Sequence, residues 1–80
     1  MKVYVVTKTE TNERFDGDFF VILMVASTKE KAIEYINNII PEKDMEEYEV
    51  SKEAKENGII RRFSGGWSDI EITIDEMEVM

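Results

Sequence analysis

The eight residues Phe19-Phe20-Val21-Ile22-Leu23-Met24-Val25-Ala26 are apolar without a break. Strand side chains alternate between two faces. This segment would therefore turn Phe19, Val21, Leu23 and Val25 to one side and Phe20, Ile22 and Met24 to the other. Both sides then need cover. The chain has one well-signalled helix, which covers one face of a sheet. The second face must be met by a weaker helix, by another copy of the chain or by a partner. The expectation is a homodimer or higher oligomer, or an apolar patch kept for a partner.

Other strands frame this one. Lys2 to Lys8 reads as a strand that is apolar on both faces through Val3, Tyr4, Val5 and Val6, which places it inside the sheet. Residues 9–17 form a polar loop. Asp16-Gly17 is a turn signal directly before the second strand, so the first two strands should pair antiparallel. Ile59 to Phe63 reads as a third strand and Ser64-Gly65-Gly66 as a turn. Asp69 to Val79 reads as a fourth strand, with Ile70, Ile72 and Ile74 inward and Glu71, Thr73 and Asp75 outward.

The helix follows the second strand. Ser27-Thr28-Lys29-Glu30 matches a capping box, with Ser27 as cap and Glu30 reaching back to it. Ala32, Ile33, Ile36, Ile39 and Ile40 recur at helical spacing, and Pro41 ends the helix near Ile39 or Ile40. Residues 42–57 are less regular. Their Glu, Lys, Met and Ala favour helix, and Asn57-Gly58 suits a helix stop, whereas Tyr48 and Val50 suit a short strand. The expected fold is a single α+β domain over residues 1–80. It has an antiparallel sheet of about four strands, one firm helix over about 28–40 and an irregular, partly helical acidic segment, in the order ββα(α)ββ.

Composition narrows function. Eighteen acids against ten bases give −8. That disfavours direct nucleic-acid binding through a basic face and docking onto anionic membrane. The longest apolar run is far short of a membrane span. The chain has no cysteine, so neither a disulfide nor a thiolate zinc site is available, and the cytoplasm is the expected compartment. The opening Met1-Lys2-Val3-Tyr4-Val5-Val6 runs straight into a strand pattern with no cleavage site of small residues, so no signal peptide is expected. Without histidine or cysteine the usual general base and thiol nucleophile are missing. Ser51, Ser64 and Ser68 have no histidine to activate them, and Ser27 is expected to cap a helix. The expectation is a protein that is not an enzyme and uses no cofactor or metal. Asp16-Gly17-Asp18 resembles part of a calcium loop but lacks the twelve-residue ligand spacing, and a hairpin turn explains it better.

The segments MKVYVVTK, VASTKEKAIEYI and ITIDEMEV together resemble a loose group of small uncharacterised proteins common in phages and their bacterial hosts. The resemblance covers about half the chain and rests on a strand, a cap and an amphipathic helix. It implies a β-hairpin, one helix and further strands. It also implies a phage or mobile-element setting, with the host cell cytoplasm as the compartment, in which small acidic proteins often inhibit host defence. It carries over no catalytic residues.

Two constellations stand out. Residues 42–56 hold seven acids and three lysines, and residues 69–80 hold five acids and no base. Asp69, Glu71 and Asp75 share one face of the last strand with Thr73 between the last two, and alternate strand residues lie about 7 Å apart, similar to the step between phosphates along a nucleic acid. Such a row either keeps the protein soluble and its edges unpaired, or imitates nucleic acid and occupies a basic groove. Glu46, Glu47 and Glu49 form a second candidate set. The other constellation is Arg61-Arg62-Phe63-Ser64-Gly65-Gly66-Trp67-Ser68. Arg61 and Arg62 could pair with phosphate, the Gly65-Gly66 backbone could cradle it and Trp67 could stack on a base. The plainer explanation is a β-hairpin with a tryptophan over its end. The leading functional reading is a non-enzymatic, anti-CRISPR-like inhibitor that binds a basic, nucleic-acid-handling protein of a bacterial defence system. The alternatives are a homo-oligomeric sponge for a nucleotide signal and a phage structural or assembly protein.

Overall fold

A computed structural model describes residues 1–12 and 18–79. The expected Asp16-Gly17 turn lies outside the described residues. The chain order is β1 (Lys2–Asn12), β2 (Asp18–Ala26), α1 (Lys29–Asn37), β3 (Glu46–Tyr48), α2 (Lys52–Glu56), β4 (Ile59–Gly65) and β5 (Ser68–Glu78). All pairings are antiparallel, and the five strands lie in the order β2-β1-β5-β4-β3. The α+β class stands, with five strands where about four were expected and two short helices. The additional strand comes from the irregular acidic segment, which divides into strand β3 and helix α2.

β1 and β5, the two longest strands, form the centre of the sheet. Their register sets Val6 opposite Ile74 and Lys8 opposite Ile72. Ile70, Ile72 and Ile74 are buried as expected, and they meet Val6, Ala26, Phe63, Ala32 and Ile36 in one core. Ala32 and Ile36 are the helix residues fully removed from solvent, one turn apart on one face of α1.

The cap of α1 is Thr28, not Ser27. Thr28 is extended (φ −134°, ψ 153°) and its hydroxyl accepts from the Lys31 backbone N–H at 3.2 Å. Lys31 therefore takes the position that a capping box gives to glutamate. Glu30 instead lies in the first turn, where its charge faces the positive helix end. The helix ends at Asn37 with Asn38 as C-cap, two or three residues before the expected stop. In α2 the cap is Ser51, accepting from Ala54 N–H at 3.1 Å, and Gly58 follows the C-cap at φ +90°. A Cβ on Gly58 would lie 2.8 Å from the Ile74 carbonyl oxygen, so both its angle and the space require glycine.

The phase of β2 departs from strict alternation. Val6 pairs with Met24 and Thr7 with Ile22, so Leu23 is an extra residue in a β-bulge. Beyond the bulge the faces exchange. Phe19, Val21, Met24 and Ala26 share the helix side, while Phe20, Ile22 and Val25 share the other. This corrects the expected grouping of Phe19, Val21, Leu23 and Val25.

Both helices sit on the same face. Lys29 of α1, Lys55 and Glu56 of α2, and Tyr4, Ile74 and Glu76 of the sheet line one crevice. Beyond the end of α1, that face carries an apolar groove of about 280 Å³ between Leu23, Tyr35, Ile39, Met45, Phe63 and Ile72. The opposite face of the sheet is covered by no helix among the described residues, of which none is long and apolar enough to cross a membrane.

Candidate functional site

Residues that are opposite in an antiparallel pair point to the same face, so the register maps the open face directly. One row runs Asp18, Thr11, Asp69, Ser64, Glu46 across all five strands. Strands lie about 4.8 Å apart, so these three carboxylates are spaced at about 10 Å with a hydroxyl between each pair. The Thr11 hydroxyl donates to Asp18 at 3.0 Å, and the Ser64 hydroxyl donates to Asp69. The next row runs Phe20, Thr9, Glu71, Arg62, Tyr48. Arg62 reaches Glu71 at 3.7 Å, with both side chains well exposed. Further along, Asp75 stands beside Val5 and Val25, and Met77 beside Val3. The open face thus grades from acids and hydroxyls at one end to apolar side chains at the other.

Asp69, Glu71 and Asp75 do share this face, on the central strand β5. Asp75 and Glu46 form no ion pair among the described residues. Of the second expected set, Glu46 joins the row at its β3 end and Glu49 lies just beyond β3. Glu47 points to the helix side and is not part of the set. Asp18 and the hydroxyls of Thr11 and Ser64 were missed in the sequence. Their only signal is register across strands far apart in the chain.

Arg61 explains where Glu47 goes. Its side chain is 15% exposed. Nε and Nη2 donate to the two Glu47 carboxylate oxygens at 2.9 and 2.8 Å, and Nη1 donates to the Ile36 and Ile39 carbonyls at 2.7 and 2.9 Å. The guanidinium also lies 4.6 Å from the Phe63 ring centre. The last turn of α1 has no base of its own, and Arg61 supplies one from the sheet to its electronegative end. Hydrogen bonding to Arg61 holds the Glu47 carboxyl below its ordinary range, against the opposing effect of partial burial. The same bond raises the guanidinium further.

Arg61 and Arg62 therefore occupy opposite faces and do not form a joint phosphate site. Arg62 borders a shallow groove of about 330 Å³ whose other walls include Tyr48, Glu49, Ser64 and Asp69, and a phosphate there would meet carboxylates. Gly66 makes the turn between β4 and β5 at φ +59°, with Trp67 exposed beside it. Gly65 serves packing: a Cβ there would collide with the backbone of Asp44 and Met45. Among the described residues no three carboxylates converge to hold a metal ion.

Neither the protein-family models, the curated proteins nor the solved structures contain a match to this chain.

Proposed function

We propose that this chain is a non-enzymatic inhibitor that binds a basic protein surface through the acidic end of its open sheet face. The observation that carries the reading is that Asp18, Glu46, Asp69 and Glu71 gather at one end of an uncovered face, with Asp75 further along β5 and Arg62 as a base on that face among the described residues. The acids lie on strands, so their spacing is fixed before binding and little order is lost on contact. In its narrower form, the partner is a nucleic-acid-handling protein of a bacterial defence system. What supports that form is the even spacing of Asp18, Asp69 and Glu46 in one row across the sheet.

Attraction of this kind speeds encounter and is screened by salt within about 8 Å at physiological ionic strength. The test is capture from a bacterial host lysate at low and high salt, with the Asp69→Lys, Glu71→Lys, Asp75→Lys triple variant alongside. The expected result is a basic protein retained by the native chain, released by salt and not retained by the variant. With that protein purified, association should slow in the variant. Equal, salt-insensitive retention by both chains would refute the acidic face as the contact.

A further inference from the structure

We propose that two copies of this chain join along the free edge of β2, antiparallel about a twofold axis, into one continuous ten-stranded sheet. This inference is independent of the acidic-face reading.

β2 is an outer strand, paired on one side only to β1, and its nine residues present a free row of backbone donors and acceptors. Edges of this length are ordinarily blunted by lysine, proline, a bulge or a covering segment. β2 has no lysine or proline, and its one charge is Asp18 at the first position. The bulge at Leu23 leaves Asp18 to Ile22 in regular pairing geometry. Phe19, Phe20, Val21, Ile22 and Val25 are 52–72% exposed and lie on both faces of this one strand. A ligand on either face alone would leave half of them in water, whereas a neighbouring strand shields the edge-facing flank of both sets at once.

Charge leaves this edge as the place where a second copy meets the first with least repulsion. Two chains of −8 repel wherever their acidic surfaces meet. The opposite edge, β3, reads Glu-Glu-Tyr, and self-pairing there sets like charges side by side. The segment Phe19–Ala26 is uncharged and matches its own reverse in chemistry, apolar against apolar. The five exposed residues offer roughly 500 Å² per copy, so a pair buries at most about 1,000 Å² of side chain, at the low end for a specific interface, and the backbone bonds of the paired edges add to it. The twofold keeps both sets of helices on one side and extends the open face across both copies.

The test is sedimentation velocity of the full chain across the micromolar range, with Ile22→Lys beside it. The native chain is expected to dimerise, more tightly as salt screens the repulsion, and Ile22→Lys to sediment as a monomer although it lowers the net negative charge. Because the native chain lacks cysteine, Ile22→Cys and Glu46→Cys give a second measurement that survives misfolding of the lysine variant. Oxidation should link Ile22→Cys far faster than Glu46→Cys. A native chain that stays monomeric, a dimer unchanged by Ile22→Lys, or equal cross-linking of the two cysteine variants would each overturn the proposal. The first result would leave the edge to a strand of another protein.

Discussion

Replacing Arg61 by methionine removes the charge while keeping an apolar stem of similar reach. The loss can be assembled from the contacts. The Ile36 and Ile39 carbonyls each lose a charged donor at the end of α1, about 1 kcal/mol apiece. The ion pair with Glu47, whose side chain is 48% exposed, contributes about 0.5 kcal/mol once solvent screening is allowed for. Stacking of the guanidinium over Phe63 adds about 0.5–1 kcal/mol. The expected destabilisation is about 3 kcal/mol, a large part of the stability of so small a domain. At about 4–8 °C per kcal/mol, the melting temperature should fall by about 12–24 °C.

Thermal unfolding followed by circular dichroism measures this, and Glu47→Gln supplies the comparison. That change touches only the ion pair and should cost about 0.5 kcal/mol. The two variants therefore separate the helix-end bonds from the salt bridge. Equal losses in both, or a loss under about 1 kcal/mol for Arg61→Met, would refute the claim that Arg61 anchors α1 to the sheet.

Thr28→Ala should destabilise by about 1 kcal/mol, while Ser27→Ala stays within about 0.5 kcal/mol of the native chain, because Thr28 holds the cap bond; urea unfolding distinguishes them, and the reverse order would return the cap to Ser27. Glu47 binds its proton less readily folded than unfolded, so its contribution is complete above about pH 4.5 and is lost as pH falls through the lower folded value. The stability gap between the native chain and Glu47→Gln should accordingly narrow below about pH 4.5, and a gap independent of pH would contradict this.

The legible parts of the fold were those whose pattern had a phase. Ile70, Ile72 and Ile74 alternate with polar residues, and their inward face followed directly. The run from Phe19 to Ala26 has no polar residue to mark a face. A bulge could shift its phase at Leu23 without any trace in the sequence. Ser27 and Thr28 both carry a capping hydroxyl, and the choice between them was made by where β2 stops, at Ala26. β3 is held by its neighbours rather than by propensity, since Glu46 and Glu47 are poor strand formers. Its support comes from pairing with β4, from the Glu47–Arg61 bond and from the backbone approach that Gly65 permits. Arg61 looked like a ligand residue because it sits beside Arg62 and a glycine turn. One signal pointed elsewhere: α1 ends without a base in its last turn, and Arg61 fills that place.

The same physics links the two proposed surfaces. With α1 and α2 on one side, no helix among the described residues covers the other, and a small acidic domain must keep that face from collapsing onto itself or onto other proteins at random. Charge is placed over β5, β3 and the first residue of β2, and it is absent from the remainder of β2. Repulsion then forbids most encounters between copies and leaves one uncharged edge along which they can meet. The acids remain exposed in such a dimer because they lie on strands away from the junction, apart from Asp18 at its margin. Self-association should therefore strengthen with salt while binding to a basic partner weakens. The opposite salt responses make the two contacts separable in one titration.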